Sequence, residues 1–191
     1  VSRVLYISSA AAAMNKGFYG KAKLEAESLL LSTGRDVTVF RPTMIYGPGD
    51  TKNLQMMIDL VKKYPIVPVL GGGNFMVQPV HVEDVAAAAI VAITSIKTNK
   101  IYNVCGPEQV SLRNILEELR VRTKSNTVFV SVPLWPVQVI LKLWTTIVPN
   151  TKLPVKQVLE LDKHEEFDYE LTKLDLSFTP RLFQDGLSWV T

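Results

Sequence analysis

The sequence holds one cysteine, Cys105, and two histidines, His81 and His164. A lone cysteine excludes an internal disulfide, and histidines so far apart form no local metal motif. These scarcities point to a reducing cytoplasm and to no structural metal. Charge of one sign is scarce as well: the formal net charge is +3, and Lys and Arg are spread along the chain rather than gathered in a block. No nucleic-acid footprint follows from such a pattern. Long hydrophobic runs are also missing. The most membrane-like stretch, Val132 to Val148, is interrupted by Gln138 and Lys142 and is shorter than the ~20 apolar residues a span needs. With Pro136 suited to a helix start, it reads as a packed amphipathic helix rather than a membrane-surface contact. Val1-Ser2-Arg3-Val4-Leu5-Tyr6-Ile7 carries one basic residue and runs straight into serines, without the layout of a signal peptide.

What is present is a globular composition. A chain of 191 residues, 47% of them hydrophobic, can bury one substantial core with a small subdomain. Val4 to Ile7 is a continuous apolar run, expected as a strand buried on both faces of a parallel sheet. Tyr19 to Leu31, rich in Ala, Leu, Lys and Glu, predicts a helix ended by Ser32-Thr33-Gly34. Asp36 to Phe40 predicts a second strand, closed by Arg41-Pro42, so strand, helix and strand form a parallel crossover. Further on, Leu54 to Lys63 predicts a helix, and Pro65, Pro68 and Gly71-Gly72-Gly73 an irregular stretch. Val80 to Val82 predicts a strand, with Glu83-Asp84 starting a helix over Val85 to Ile96. A strand over Ile101 to Val104, a helix from Ser111 to Lys124, a strand over Thr127 to Val132 and a mostly helical remainder complete the pattern.

The chemistry gathers at Tyr19-Gly20-Lys21-Ala22-Lys23. A Tyr and a Lys four residues apart share one helix face. An ammonium held near a phenol stabilises the phenolate, which lets Tyr act as a general acid or base. The pair follows a buried strand that ends in Ser8-Ser9, and the crevice of an open α/β sheet lies at the carboxyl ends of its strands.

These residues resemble the short-chain dehydrogenase/reductase superfamily, and within it the extended branch, the NAD-dependent epimerase/dehydratase family. Tyr6-Ile7-Ser8-Ser9 is similar to the strand leading to the family's active-site serine, and Tyr19 with Lys23 to its catalytic pair. Arg41-Pro42-Thr43 with Tyr46-Gly47-Pro48-Gly49-Asp50, Pro79 to Ala86, Tyr102-Asn103-Val104 with Gly106-Pro107, Phe178-Thr179-Pro180 and Gly186-Leu187 continue the resemblance in order. The fold it implies is α/β: a partial Rossmann-like parallel sheet with a mostly helical C-terminal substrate-binding lobe. Residues 1–43 would be the C-terminal part of an NAD(P)-binding Rossmann domain, and residues 44–191 mainly the substrate lobe with interleaved Rossmann elements. The glycine-rich phosphate loop of the family has no counterpart before Tyr19, so the chain is expected to be a fragment that binds NAD(P) weakly or not at all by itself.

By the resemblance, Tyr19 exchanges a proton with a substrate oxygen while NAD or NADP exchanges a hydride. Lys23 holds the nicotinamide ribose, and Ser8 or Ser9 hydrogen-bonds the reacting oxygen. Ala10 stands where the family places its catalytic Ser/Thr, which makes Ser9 the nearest hydroxyl. Tyr19, Lys23, Pro42 and Thr43 are the expected cofactor contacts, and Met44, Asn53 and Val77 the expected substrate contacts. Met44 replaces an Asn and Val77 an Arg that sugar-nucleotide enzymes of the family use, and neither side chain can supply those bonds. The expected partner is a small-molecule substrate, with a homodimer as the possible assembly. A non-catalytic nucleotide-binding relative, serving assembly or redox sensing, is the alternative. Gly71 to Asn74 reads as a turn, His81 as a packed, hydrogen-bonded histidine, Asp84 as a helix cap and Cys105 as a core residue. Glu27, four residues after Lys23, either pairs with it or is solvated.

Overall fold

The structure, a computed structural model, describes residues 3–15, 17–94, 99–139 and 166–190. In chain order its elements are β1 (Arg3–Ile7), α1 (Ala10–Ala13), α2 (Gly17–Leu31), β2 (Asp36–Pro42), β3 (Ile45–Tyr46), α3 (Leu54–Lys63), β4 (Ile66–Leu70) and β5 (Met76–Val77). They continue with β6 (Val80–His81), α4 (Val82–Thr94), β7 (Ile101–Val104), β8 (Val110–Ser111), α5 (Leu112–Arg122), β9 (Val128–Val132) and α6 (Glu170–Leu176). Two compact units divide them: Val1–Leu54, Gln78–Gln109 and Glu166–Trp189 form one, and Gln55–Val77, Val110–Glu165 and Val190–Thr191 the other.

The first unit is built on a parallel sheet in the order β1-β2-β7. β2 lies in the middle, and Val37, Thr38, Val39 and Phe40 are all buried, as a central parallel strand covered on both faces requires. β1 departs from the expectation of a strand buried on both faces. Its residues are half-buried or exposed, because β2 is its one partner among the described residues and it forms the edge of the sheet. Phe40 and Tyr102 meet edge to face, with ring centroids 6.1 Å apart, in a core shared with Val80, Val85, Ala88 and Ala92. β3 and β6 add a short parallel pair, Ile45 beside Val80 and Tyr46 beside His81.

Helix α4 starts at Val82, before the expected Val85, so Glu83 and Asp84 fall inside its first turn. Asp84 is not a cap of that helix. Its carboxylate accepts from the backbone N–H of Arg181 at 3.0 Å and from Arg181 Nε at 2.9 Å, while Arg181 Nη1 reaches Glu83 at 2.9 Å. The Arg181 backbone N–H and guanidinium fork, rather than the N–H groups of α4, are thus the partners of Asp84. Phe183 N donates to Glu108 at 3.0 Å, and Tyr46 Oη to the Phe183 carbonyl at 3.2 Å, which ties the segment after α6 to the rest of the unit.

In the second unit β4 pairs with β9 in parallel and β5 with β8 antiparallel. The stretch expected to be irregular contains β4, which tolerates Pro68 because β9 is its one partner among the described residues and the missing N–H can fall on the other edge. Gly71, Gly72 and Gly73 then turn the chain with φ of 58, 67 and 77°, angles that other residues adopt at a cost. Ser111 caps α5 by accepting from Asn114 N at 3.1 Å, and Ile115, Leu116 and Leu119 form its buried face. Residues 134–139 are helical, and Trp135 is exposed rather than packed. The rest of the Trp-rich stretch from residue 140, and His164, lie outside the described residues. Among those residues no helix is long and apolar enough to cross a membrane.

Candidate active site

The site begins with the way α2 lies against α1. A methyl group on Gly20 would stand 2.3 Å from the carbonyl oxygen of Ala11, so only glycine allows this approach. Gly20 and Glu27 are the buried residues of α2, two turns apart on one face, with Lys23 and Leu24 half-buried between them. Tyr19, at the rim of that face, is 61% exposed, so its phenol is open to a ligand. Lys23 Nζ donates to the Ile7 carbonyl at 2.9 Å and stands 5.0 Å from the Tyr6 ring centroid and 5.9 Å from that of Tyr19. The ammonium thus sits over two aromatic faces at the carboxyl end of β1.

The two serines have different surroundings. Ser8 is buried, and its hydroxyl donates to Glu27 Oε1 at 2.5 Å. Ser9 is half-buried and caps α1, its oxygen accepting from Ala11 N at 3.2 Å. Glu27 neither pairs with Lys23 nor is solvated, the two alternatives its spacing allowed. It is 1% exposed and also accepts from Arg41, Nη2 at 2.5 Å and Nε at 3.0 Å. A buried carboxylate needs such partners, and a guanidinium fork plus a hydroxyl supply them.

Pro42, at the end of β2, is buried, and Thr43 N donates to the Val104 carbonyl at 3.2 Å while its hydroxyl donates to the Gln78 carbonyl. Met44 O accepts from Val80 N at 2.9 Å. Asn53 Nδ2 donates to the Ile45 carbonyl at 3.0 Å and borders a surface cleft of about 280 Å³ with Tyr46, Gly47, Asp50 and Val82. A second cleft of about 360 Å³ is lined by Gln78, Pro107 and residues 166–169. Tyr19 and Lys23 line neither cleft. Val77 belongs to the other unit, where it pairs with Val110.

His81 is buried, and its Nδ1 accepts from Glu83 N at 3.3 Å. Burial first, and then the Arg181 guanidinium, hold its pKa below the ordinary histidine value. Cys105 is fully buried, and burial pushes its thiol up to about 12, which makes it a core residue rather than a nucleophile. Glu27 and Arg41 are the residues whose roles spacing did not reveal. The one available signal is that Gly20 and Glu27 lie seven apart, which puts Glu27 on the packed face.

Residues 4–105, more than half of the chain, fit the profile of the NAD dependent epimerase/dehydratase family. The chain belongs to that family. A relative described as NADH dehydrogenase [ubiquinone] 1 alpha subcomplex subunit 9, mitochondrial, from Arabidopsis thaliana, is 34% identical over 99 residues, which cover 51% of this chain and 24% of that protein. UDP-glucose 4-epimerase of Vibrio cholerae is 28% identical over 122 residues, or 61% of this chain and 37% of that one. In fold, the chain resembles the crystal structure of UDP-glucose 4-epimerase from Thermotoga maritima, solved with UDP-glucose, with a TM-score of 0.74 at 19% identity, covering all of this chain and 62% of that one. The chain thus spans less than half the length of either of these relatives.

Proposed function

We propose that this chain serves an NAD(P)-dependent oxidoreductase or epimerase/dehydratase-like enzyme that works by hydride transfer with a Tyr19–Lys23 proton relay. The observation that carries the reading is the seat of Lys23, on the Ile7 carbonyl and over the Tyr6 and Tyr19 rings, at the carboxyl end of a parallel strand. In open α/β sheets ligands bind at those ends. Residues 1–43 are read as part of the cofactor-binding domain, and residues 44–191 mainly as the substrate lobe with interleaved Rossmann elements.

The donor set fits the nicotinamide-ribose end of NAD(P). One N–H of Lys23 goes to Ile7, which leaves two for ribose hydroxyls, and the exposed Tyr19 phenol stands beside them. When bound, the nicotinamide accepts or supplies a hydride. Tyr19 moves a proton between its Oη and the substrate oxygen, and Lys23 orients the ribose beside it. Ser9, half-buried at the start of α1, is the hydroxyl available to that oxygen, since Ser8 is held by Glu27. Met44 and Val77 argue against a sugar-nucleotide substrate, because a thioether and an isopropyl group cannot bind a diphosphate. On this reading the partners are a small-molecule substrate and a second copy of the chain.

A second reading is a nucleotide-binding relative without turnover, with a role in assembly or redox sensing. It is favoured by Ala10, a buried methyl group near the candidate hydroxyl, and by the commitment of Ser8 to Glu27. Screening the complete natural protein against hydroxy and keto compounds, with NAD(P)H absorbance as readout, separates the two. The enzyme reading expects turnover that Tyr19→Phe abolishes while NAD(P)H binding persists. Turnover that survives Tyr19→Phe, or binding with no turnover, overturns it.

A further inference from the structure

We propose that Glu27 is the positioning residue of the Tyr19–Lys23 pair, its buried carboxylate being the joint that locks together the three segments carrying the candidate site. The inference rests on the reading of Tyr19 and Lys23 as the working pair. Each segment contributes one group to the joint. Ser8, next to Ser9 at the end of β1, donates at 2.5 Å; Arg41, next to Pro42 and Thr43 at the end of β2, donates at 2.5 and 3.0 Å; and Glu27 itself follows Lys23 by one turn of α2.

The arrangement costs more than it needs to if stability were its purpose. A buried carboxylate–guanidinium pair loses hydration on both sides, and well-packed apolar residues of similar volume usually stabilise a core equally well or better. What an ion pair adds is direction. The fork of Arg41 accepts one orientation of the carboxylate, and the Ser8 hydroxyl fixes it from a second side. With Glu27 fixed, α2 cannot turn about its axis, and Lys23, one turn away, is presented to the carbonyl of Ile7, the residue before Ser8. Gly20 allows the close approach of α2 to α1, and Glu27 sets its rotation.

The test is limited acetylation of the folded chain with acetic anhydride, with the ratio of Lys23 to Lys21 modification read by mass spectrometry. Both lysines are on α2, but only Lys23 is held by the joint. Glu27→Gln keeps an oxygen for Ser8 and loses the ion pair, so the ratio rises about 2- to 10-fold, the change expected when one hydrogen bond is released. Leu119→Ala, in the other unit, lowers the melting point without moving the ratio. If Glu27→Gln does not fold, Ser8→Ala removes one anchor and leaves the ion pair, and gives a smaller rise. An unchanged ratio in whichever of the two variants folds overturns the proposal, even if the complete protein turns over substrate. A raised ratio supports it, and supports it equally if the complete protein binds no NAD(P)H, in which case the proposed function alone is lost.

Discussion

Lys23 Nζ lies 2.9 Å from the carbonyl oxygen of Ile7, so the cation that flanks Tyr19 is held by the last residue of the neighbouring strand. Lys23→Met keeps an unbranched aliphatic side chain and removes the donor. Because the bond is solvent-exposed, the loss of stability in urea denaturation stays under about 1 kcal/mol. On the proposed reading of Lys23 as a ribose contact, the same change in the complete protein weakens NAD(P)H binding by fluorescence titration. Unchanged affinity would count against Lys23 as a ribose contact.

Gly20→Ala decides between two opposing effects. Alanine in place of glycine inside a helix gains about 1 kcal/mol from propensity. The new methyl, 2.3 Å from the Ala11 carbonyl oxygen, meets backbone that cannot swing away as a side-chain tip would. Overpacking of that kind costs about 1 to 3 kcal/mol, so the net effect is destabilising. Urea denaturation with an increased midpoint would mean that α1 yields and that the close approach is not needed.

Much of the fold was legible because its signals are local. The bounds of α3 match because Leu54, Ile58 and Val61 recur at helical spacing and are all buried, and those of β7 because Ile101, Tyr102 and Val104 stand between polar Asn99-Lys100 and the turn residues Gly106-Pro107. β4 was hidden by Pro65 before it and Pro68 within it; the cost of Pro68 vanishes at a strand edge that is open among the described residues, a fact of sheet topology rather than of sequence. At the site, Tyr19 and Lys23 were visible as a spacing. The Ser8–Glu27–Arg41 joint was not, since its partners stand 19 and 14 residues from Glu27 and spacing pointed instead to the adjacent turn. The half-buried state of β1 and the Arg181 clamp on Asp84 are likewise products of long-range packing.

His81 makes stability depend on pH with a definite sign. Its folded pKa is depressed, by burial and then by Arg181, with Asp84 and Glu83 opposing. The unfolded chain therefore binds the proton more readily, and stability rises with pH between the folded pKa and the unfolded value of about 6.5. The contribution is complete above that unfolded value and is lost as pH falls through the folded pKa. His81→Asn keeps an acceptor for Glu83 N and cannot titrate. Its urea midpoint therefore falls less than that of the wild type between about pH 7 and pH 5. Parallel curves for the two proteins would show that His81 does not titrate across folding.

Tyr46 and Gly186 form a pair whose energies should not add. Tyr46 is 1% exposed, its ring is 5.2 Å from that of His81 and 5.1 Å from that of Phe183, and its hydroxyl donates to the Phe183 carbonyl. Tyr46→Phe leaves that carbonyl without this donor and costs about 1 to 2 kcal/mol. Gly186→Ala places a methyl 2.1 Å from the Tyr46 hydroxyl oxygen and 2.8 Å from the ring carbon that bears it, a clash worth about 1 to 3 kcal/mol. In the double variant the hydroxyl is already gone, so the closest contact is relieved while the ring contact remains. Its loss of stability is therefore smaller than the sum of the single losses by at least about 0.5 kcal/mol in a double-mutant cycle. Strict additivity would mean that the segment around Gly186 moves away from Tyr46 when the methyl is added, and that the link from Tyr46 to Phe183 does not hold it in place.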